Sequence, residues 1–469
     1  MKIEVDVAII GAGSAGLYAL SQVKKETSNF LLINEGPYGT TCARVGCMPS
    51  KSLIRIAEYY HERAYFEKSG IKNSDKLSVS IPEVLQRVRK HRDILVEGNI
   101  KNITRLGDKV LSGRAEFMDA HTLKVGDDEI VAKKIIIATG SSPVFDPKWK
   151  DFKEHILTTD ELFEQDDLPS TLGVLGLGVI GLELGQALSR LGIKVTAVHS
   201  KEFIGGLSDP EVNKNMLQLC EKEFDIWLGD GHAVLTKVED KIQISTDNNE
   251  VLVDKVLVAI GRRPNLKNLK LENLGIALDK RGMPNFDPQT MQIEDLPVYI
   301  AGDVNADRPL LHEAADEGRI AGYNVVKEQK KFKRKVPLAI VFTDPNIAFV
   351  GKSYKEIKED SNILTASYDF KQQGRAFLIN KNAGLCHLYV EKNEGKLIGA
   401  QMVAPGGEHL AHHLAWAMEK ELTVYDMLAL PFYHPTLEEG LYTLLRDAVK
   451  KLEHKKESIL EIPFLGEAQ

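Results

Sequence analysis

The run Gly11-Ala12-Gly13-Ser14-Ala15-Gly16 recurs further along the chain as Gly176-Leu177-Gly178-Val179-Ile180-Gly181. Each run follows a short apolar stretch, Asp6-Val7-Ala8-Ile9-Ile10 in the first case and Leu172-Gly173-Val174-Leu175 in the second. Each also opens an apolar helical segment, expected at residues 17–25 and 182–191. A buried parallel strand, a tight glycine turn and a helix aimed at that turn together cradle a pyrophosphate. One glycine makes the turn, one lets backbone approach the phosphates, and one lets helix pack on strand. One such pattern alone is weak. Here the strand and helix flank it both times, and a second strand follows at residues 30–33 and again at 194–198, so a ligand-free glycine turn is the lesser reading. The chain is therefore predicted to be α/β, with two Rossmann-like dinucleotide-binding units and no solenoid repeat.

The ends of those second strands differ. Asn34 and Glu35 end the first, where an acid that binds ribose is expected. His199-Ser200-Lys201 ends the other, with no acid. An acid there accepts from a free ribose hydroxyl and repels a 2′-phosphate, whereas Ser200 and Lys201 suit that phosphate. This tilts the expectation from NAD toward NADP; the alternative, plain loop residues, stays open.

A length of 469 residues suggests about three domains. The net charge of −7 argues against nucleic acid as the main partner. The basic stretches at 327–335 (KEQKKFKRK) and 450–456 are read as solvated faces. Four cysteines are too few for a disulfide-stapled secreted protein, and Cys220 and Cys386 are read as packing residues. No basic-then-apolar leader precedes the first strand and no apolar run reaches membrane-spanning length. A cytoplasmic protein with no membrane partner is expected. His409, His412 and His413 have helical spacing, but no cysteine or carboxylate constellation supports them, so no metal is expected.

The other two cysteines, Cys42 and Cys47, lie in Thr41-Cys42-Ala43-Arg44-Val45-Gly46-Cys47-Met48-Pro49-Ser50-Lys51. A regular helix would hold Cα atoms at that spacing roughly 8–9 Å apart, and a disulfide tolerates about 7 Å. If they pair, the backbone must leave the helix between them, which Gly46 eases. A bridge closing so small a loop suits redox work better than fold support. Further apolar strands end in small residues at Ala138-Thr139-Gly140, at Gly261-Arg262 and at Gly302-Asp303. Ligands collect at such carboxyl ends, which makes Asp303 a candidate contact to a ribityl chain. In His434-Pro435-Thr436-Leu437-Glu438-Glu439, Glu439 is either a capping-box acid with Thr436 as N-cap, or the partner that orients a proton-transferring His434.

Taken in order, these motifs resemble the class I pyridine nucleotide–disulfide oxidoreductases over nearly the whole chain. The resemblance implies FAD at the first glycine turn, NAD(P) at the second, and a C-terminal α+β dimerisation domain opening near residues 340–345. It implies an FAD domain at 1–150 and 267–336, an NAD(P) domain at 151–266 and an interface domain at 337–469. It further implies that Cys42 is the interchange thiol and Cys47 the charge-transfer thiol. Lys51 and Glu183 would be an ion pair beside the reactive flavin nitrogen. His434 and Glu439 would be an acid–base dyad serving the opposite subunit of a homodimer. Flavin contacts are expected from Thr41, Lys51, Ala115, Thr139, Gly140, Asp303, Leu311, His312 and Ala314. Met48-Pro49-Ser50-Lys51 and Gly178-Val179-Ile180-Gly181-Leu182-Glu183 are most similar to members acting on dihydrolipoamide, free or on a lipoyl domain. A glutathione-reductase-like NADPH enzyme and a non-catalytic flavin-binding subunit are the alternatives. Several positions depart from the family pattern: Thr40 and Thr41 follow Gly39, Arg44 stands where asparagine is common, and Asn34 and His199 replace acids.

Overall fold

The computed structural model describes residues 1–453. The end of the basic stretch at 450–456 and the C-terminal residues 454–469 lie outside the described residues.

The strand Lys2–Ile10 runs into the first glycine turn and the helix Ser14–Val23. Its apolar run makes it central. It pairs in parallel with Phe30–Asn34 on one side and with Asp128–Ile137 on the other. Val298–Ile300 joins Asp128–Ile137, also in parallel, so one seven-stranded sheet draws on chain from both sides of the second glycine unit. The helices Ser14–Val23 and Leu311–Asn324 press together through two glycines one turn apart. A Cβ on Gly318 would lie 2.3 Å from the Ala15 carbonyl oxygen, and one on Gly322 would lie 2.5 Å from that of Ala19.

The second unit is an all-parallel five-stranded sheet in the spatial order Asp225–Leu228, Lys194–His199, Thr171–Leu175, Lys255–Val258, Ile156–Leu157. Its helix is Val179–Arg190. Both glycine-turn helices begin inside the glycine pattern, about three residues before the expected start. The third glycine sits within the first helical turn, packed against the first.

The third sheet is antiparallel, in the order Leu338–Val341, Asn346–Gly351, Leu397–Ala404, Leu385–Glu391, Ile363–Asp369. Helices Gly407–Glu419 and Glu439–Lys451 pack on it. The second unit docks here through one face of helix Val179–Arg190, whose side chains at 183, 186 and 190 follow helical spacing. Glu183 accepts the Phe342 N–H at 2.8 Å, Gln186 accepts the Asp344 N–H at 2.8 Å, and Arg190 Nη1 reaches Asp344 Oδ2 at 3.0 Å.

Cys220 and Cys386 are buried in apolar clusters, as expected. The rings of His412 and His413 pack against Trp416. The stretch at 327–335 needs correction at one residue. Its lysines 331, 333 and 335 are exposed, but Arg334 is only 10% exposed, in an ion-pair cluster with the buried Glu313 and Glu317 at 2.6 and 2.8 Å.

Candidate active site

The two glycine turns are near copies. A Cβ on Gly16 would lie 1.9 Å from the Gly11 carbonyl oxygen, and one on Gly181 would lie 1.9 Å from that of Gly176. Gly11 and Gly176 have φ of +112° and +91°, a conformation open to glycine at no steric cost. A Cβ on Gly178 would meet nothing within 4 Å, and one on Gly13 would meet only the Ala138 oxygen at 3.9 Å. The backbone at these two residues is thus bare on the side where phosphates approach, and both turns fit a dinucleotide.

Each strand end supplies an acceptor to its own turn. Asn34 Oδ1 accepts the Ala12 N–H at 2.9 Å. His199 Nδ1 accepts the Leu177 N–H at 3.3 Å, so Nε2 carries the proton and donates to the Phe203 carbonyl at 3.1 Å. Burial pushes the pKa of His199 down, and the charge of Lys201 adds to this. Both ring nitrogens are committed to the loop, leaving Ser200 and Lys201 as the exposed side chains at this strand end. Glu35 is held by Arg114 in a bidentate pair with a shortest contact of 2.6 Å, which keeps its carboxyl below the usual range.

The cysteine run breaks the helix where expected. Thr41–Arg44 forms one turn, the chain leaves helical geometry at Val45 and Gly46, and a new helix runs Cys47–His61. A Cβ on Gly46 would crowd the Thr41 oxygen at 3.1 Å and Cys42 Cα at 3.2 Å, so glycine lets the chain fold back over Cys42. Thr40 occupies φ +55°, ψ +146°, a region costly for a β-branched residue. Its hydroxyl oxygen accepts the Ala43 N–H at 3.2 Å and caps the short turn.

Both thiols are free, and the Cys42 thiol donates to the Cys47 sulfur. That bond, then the charge of Lys51, brings Cys47 down to about 7 against the opposing effect of burial. The same bond and burial push Cys42 far up. Cys47 is also the first residue of its helix, where partial positive charge favours a thiolate. Lys51 is one turn on, on the same face. Its Nζ pairs with Glu183 Oε2 at 2.7 Å and lies 4.6 Å from the centre of the Phe342 ring. Glu183 is 4% exposed, so it is a buried partner and not a surface charge.

A second network converges on Gly302-Asp303. Asp303 Oδ2 accepts the Ser141 hydroxyl at 2.8 Å, and Arg262 donates to the Ser141 hydroxyl and carbonyl oxygens at 2.8 and 2.7 Å. Behind it, the fully buried Glu317 accepts the Gly302 N–H at 2.7 Å and the Asn305 amide at 2.8 Å. Leu311, His312 and Ala314 stand in the first turn of helix Leu311–Asn324. Thr139 and Gly140 form the crossing to the second unit, where Asn265 bonds back to both. Ala115 is buried at the start of the strand Ala115–Phe117.

His434 Nδ1 pairs with Glu439 Oε1 at 2.8 Å, while Glu439 Oε2 accepts the Thr436 N–H at 3.1 Å. One carboxylate therefore orients the imidazole and ties down the approach to the helix. Thr436 is not the N-cap. Its hydroxyl donates to the Tyr433 carbonyl at 2.8 Å, and the helix starts three residues later as Glu439–Lys451. The imidazole is 80% exposed. Among the described residues neither member of the dyad bonds to the cysteines, Lys51 or Glu183 of its own chain.

Residues 5–318 match the pyridine nucleotide-disulphide oxidoreductase family, and residues 337–445 match that family's dimerisation domain. The chain belongs to the pyridine nucleotide-disulphide oxidoreductase family. Family members use FAD and a pyridine nucleotide. Similar curated proteins include a dihydrolipoyl dehydrogenase of Haloferax volcanii, 30% identical, with 96% of this chain and 97% of the relative covered. Another, of Geobacillus stearothermophilus, is 31% identical with 93% and 94% covered. Among solved structures, the Cu(II) complex of the HOCl-induced flavoprotein disulfide reductase RclA from Escherichia coli superposes with a TM-score of 0.83 at 25% identity, over 94% of this chain and 99% of RclA. LpdA from Mycobacterium tuberculosis superposes with a TM-score of 0.82 at 25% identity, over 94% and 99%.

Sequence reasoning missed Ser141, Glu317, Arg334 and Phe342. Glu317 carried a legible signal in hindsight, an acid in line with the alanines, glycines and isoleucine of one helix face. Ser141 and Phe342 act through partners far away in the chain, and Arg334 through acids 21 and 17 positions before it.

Proposed function

We propose that the protein catalyses dithiol–disulfide exchange coupled to a nicotinamide nucleotide, with dihydrolipoamide or a lipoyl-bearing domain as the external dithiol. The observation that carries this is the Cys42–Cys47 pair, held at a helix N-terminus beside Lys51, which pairs with the buried Glu183.

Bound FAD supplies two-electron transfer between the nicotinamide and the cysteine pair. Gly11, Gly13, Ser14, Ala15 and Gly16 would hold its pyrophosphate and Asp303 its ribityl chain. With the pair oxidised, a substrate thiolate attacks Cys42, the Cys42–Cys47 bond breaks, and Cys47 departs as a thiolate facing Lys51. The substrate's second sulfur then attacks its first, breaks the mixed disulfide and releases Cys42. The substrate leaves as a disulfide, and the two electrons stay on the cysteine pair. Because His434 Nδ1 is bonded to Glu439, Nε2 is the nitrogen that takes the attacking thiol's proton, and the second thiol's proton passes to Cys42 as that sulfur is released. A Cys47 thiolate already favoured near neutral pH is a good leaving group.

A homodimer supports this chemistry. The dyad stands exposed on the domain that matches the family's dimerisation domain, together with Tyr433 at 80%, Phe377 at 66% and Trp416 at 64% exposure. In this reading each dyad serves the partner's cysteines. The division at 1–150, 151–266, 267–336 and 337–469 is part of this reading, and so is a cytoplasmic location. No helix among the described residues is long and apolar enough to cross a membrane.

The test is steady-state turnover with lipoamide and with glutathione disulfide, each with NADH and with NADPH. Turnover with lipoamide, faster with NADPH, is the expected result. Turnover with glutathione disulfide alone would reassign the substrate, and a strong NADH preference would overturn the reading of Ser200-Lys201. The likeness to RclA favours a second reading, reduction of some other disulfide, and absence of turnover with both substrates would support it.

A further inference from the structure

The loop that follows His199 is bonded to the glycine turn of the second unit, and it is fastened at both ends. At the near end, Leu177 inside the glycine turn is gripped twice. Its N–H donates to His199 Nδ1 at 3.3 Å, and its carbonyl accepts the Gly205 N–H at 2.7 Å. At the far end, the loop rests on the interface domain. Ile204 and Leu207 are buried in a cluster with Val341, Ile347 and Val403, and a Cβ on Gly205 would lie 2.5 Å from Ile347 Cδ1.

The polar contacts at that far end centre on two buried side chains, Asp209 and Gln401. Gln401 Oε1 accepts the N–H groups of Ser208 and Asp209 at 3.1 and 2.9 Å, and its amide donates to Ser208 Oγ at 2.7 Å. Asp209 Oδ2 accepts His387 Nδ1 at 2.7 Å and the Tyr389 hydroxyl at 2.9 Å, while Oδ1 caps the helix Pro210–Cys220. Asp209 and Gln401 are each 1% exposed and His387 is 4% exposed. An apolar contact would hold the two domains together equally well, but it would not fix the loop at one position. In this arrangement the Ser208 and Asp209 N–H groups and the Asp209 carboxylate are all satisfied, and moving the loop would strand them.

We propose that Gln401, His387 and Tyr389 of the interface domain are positioning residues for the nicotinamide nucleotide. They set the loop 200–209, and through Leu177 the glycine turn itself, so that Ser200 and Lys201 meet the adenosine ribose of the bound nucleotide. The inference rests on the reading of the second glycine turn as the nicotinamide-nucleotide site. It adds that discrimination between NADPH and NADH depends on the interface domain as well as on the nucleotide domain.

Binding of NADPH and of NADH to the full-length flavoprotein is measured by calorimetry for wild type, Gln401→Leu and Tyr389→Phe. Flavin content and reduction of the bound flavin by dihydrolipoamide, which needs no nucleotide, are followed in parallel. Gln401→Leu strands two N–H groups and is expected to weaken NADPH binding about tenfold, and to move the NADPH-to-NADH affinity ratio toward one. Flavin content and the dithiol half-reaction stay unchanged. Tyr389→Phe keeps the packing, removes one bond to Asp209 and shifts both quantities in the same direction by a smaller factor, so it carries the test if the leucine variant fails to fold. Unchanged affinities and ratio in folded variants, or equal loss of the dithiol half-reaction, overturn the inference. A wild type that binds neither nucleotide overturns the functional reading, and this inference with it.

Discussion

Replacing Cys42 by alanine should raise the pH at which Cys47 ionises. In the structure the Cys42 thiol donating to the Cys47 sulfur is the largest influence holding Cys47 near 7; burial opposes it, and Lys51 adds to it. The two thiols titrate as a pair, and the place of Cys47 at its helix N-terminus, one turn from Lys51, favours its thiolate for the lower step. An ordinary thiol ionises near ~8.5 and is about 3% thiolate at pH 7, so the pair gains about fifteenfold in thiolate there. Intrinsic nucleophilicity falls with pKa and returns about fourfold of that gain. The net rate advantage at a single pH is therefore only about fourfold, and the midpoint of the pH profile is the better observable. The assay is iodoacetamide alkylation of the reduced protein across pH, with the modified cysteine identified by peptide mass. Wild type should show a midpoint near 7 at Cys47. Cys42→Ala should move it to about 8.5 or above, since burial remains. Lys51→Met should move it less. A Cys42→Ala profile that superimposes on wild type, or first alkylation at Cys42, would refute the reasoning.

His434→Gln should lower dithiol turnover about a hundredfold or more at unchanged flavin content, because the thiol loses its proton acceptor; normal turnover would remove the dyad from the reaction. Arg334→Met leaves Glu313 and Glu317 buried without their shared cation and should cost about 3 kcal/mol of stability in denaturant unfolding, with weakened flavin retention; an unchanged unfolding midpoint would count against it. In Gly181→Ala the new Cβ would collide with the Gly176 oxygen 1.9 Å away, so nucleotide binding should vanish while flavin stays bound, as read by equilibrium dialysis and flavin absorbance. Gly16→Ala should do the reverse, and loss of both ligands in either variant would mean that the two turns are not independent.

Much of the site was legible as local spacing. The glycine turns, the strand–helix phasing, the helix break at Gly46 and the pairing of His434 with Glu439 all lie within a few residues, where backbone sterics and helical geometry act alone. Local reasoning also erred in instructive places. Thr436 has the composition of an N-cap, but its hydroxyl goes to Tyr433, so the helix starts later. Arg334 sits among exposed lysines and reads as solvated, yet the chain's path turns it toward two buried acids.

What the sequence determined by itself was the set of parts: two nucleotide turns, a cysteine pair poised for redox work and an imidazole–carboxylate dyad. Only the tertiary structure decided how those parts are tuned. Lys51 meets Glu183 across 132 residues, Ser141 meets Asp303 across 162, and Tyr389 meets Asp209 across 180. A charge's effect depends on its distance, its partner and its access to water. Those quantities exist only once distant segments have packed together, so chemistry that is local in its residues becomes nonlocal in its energetics.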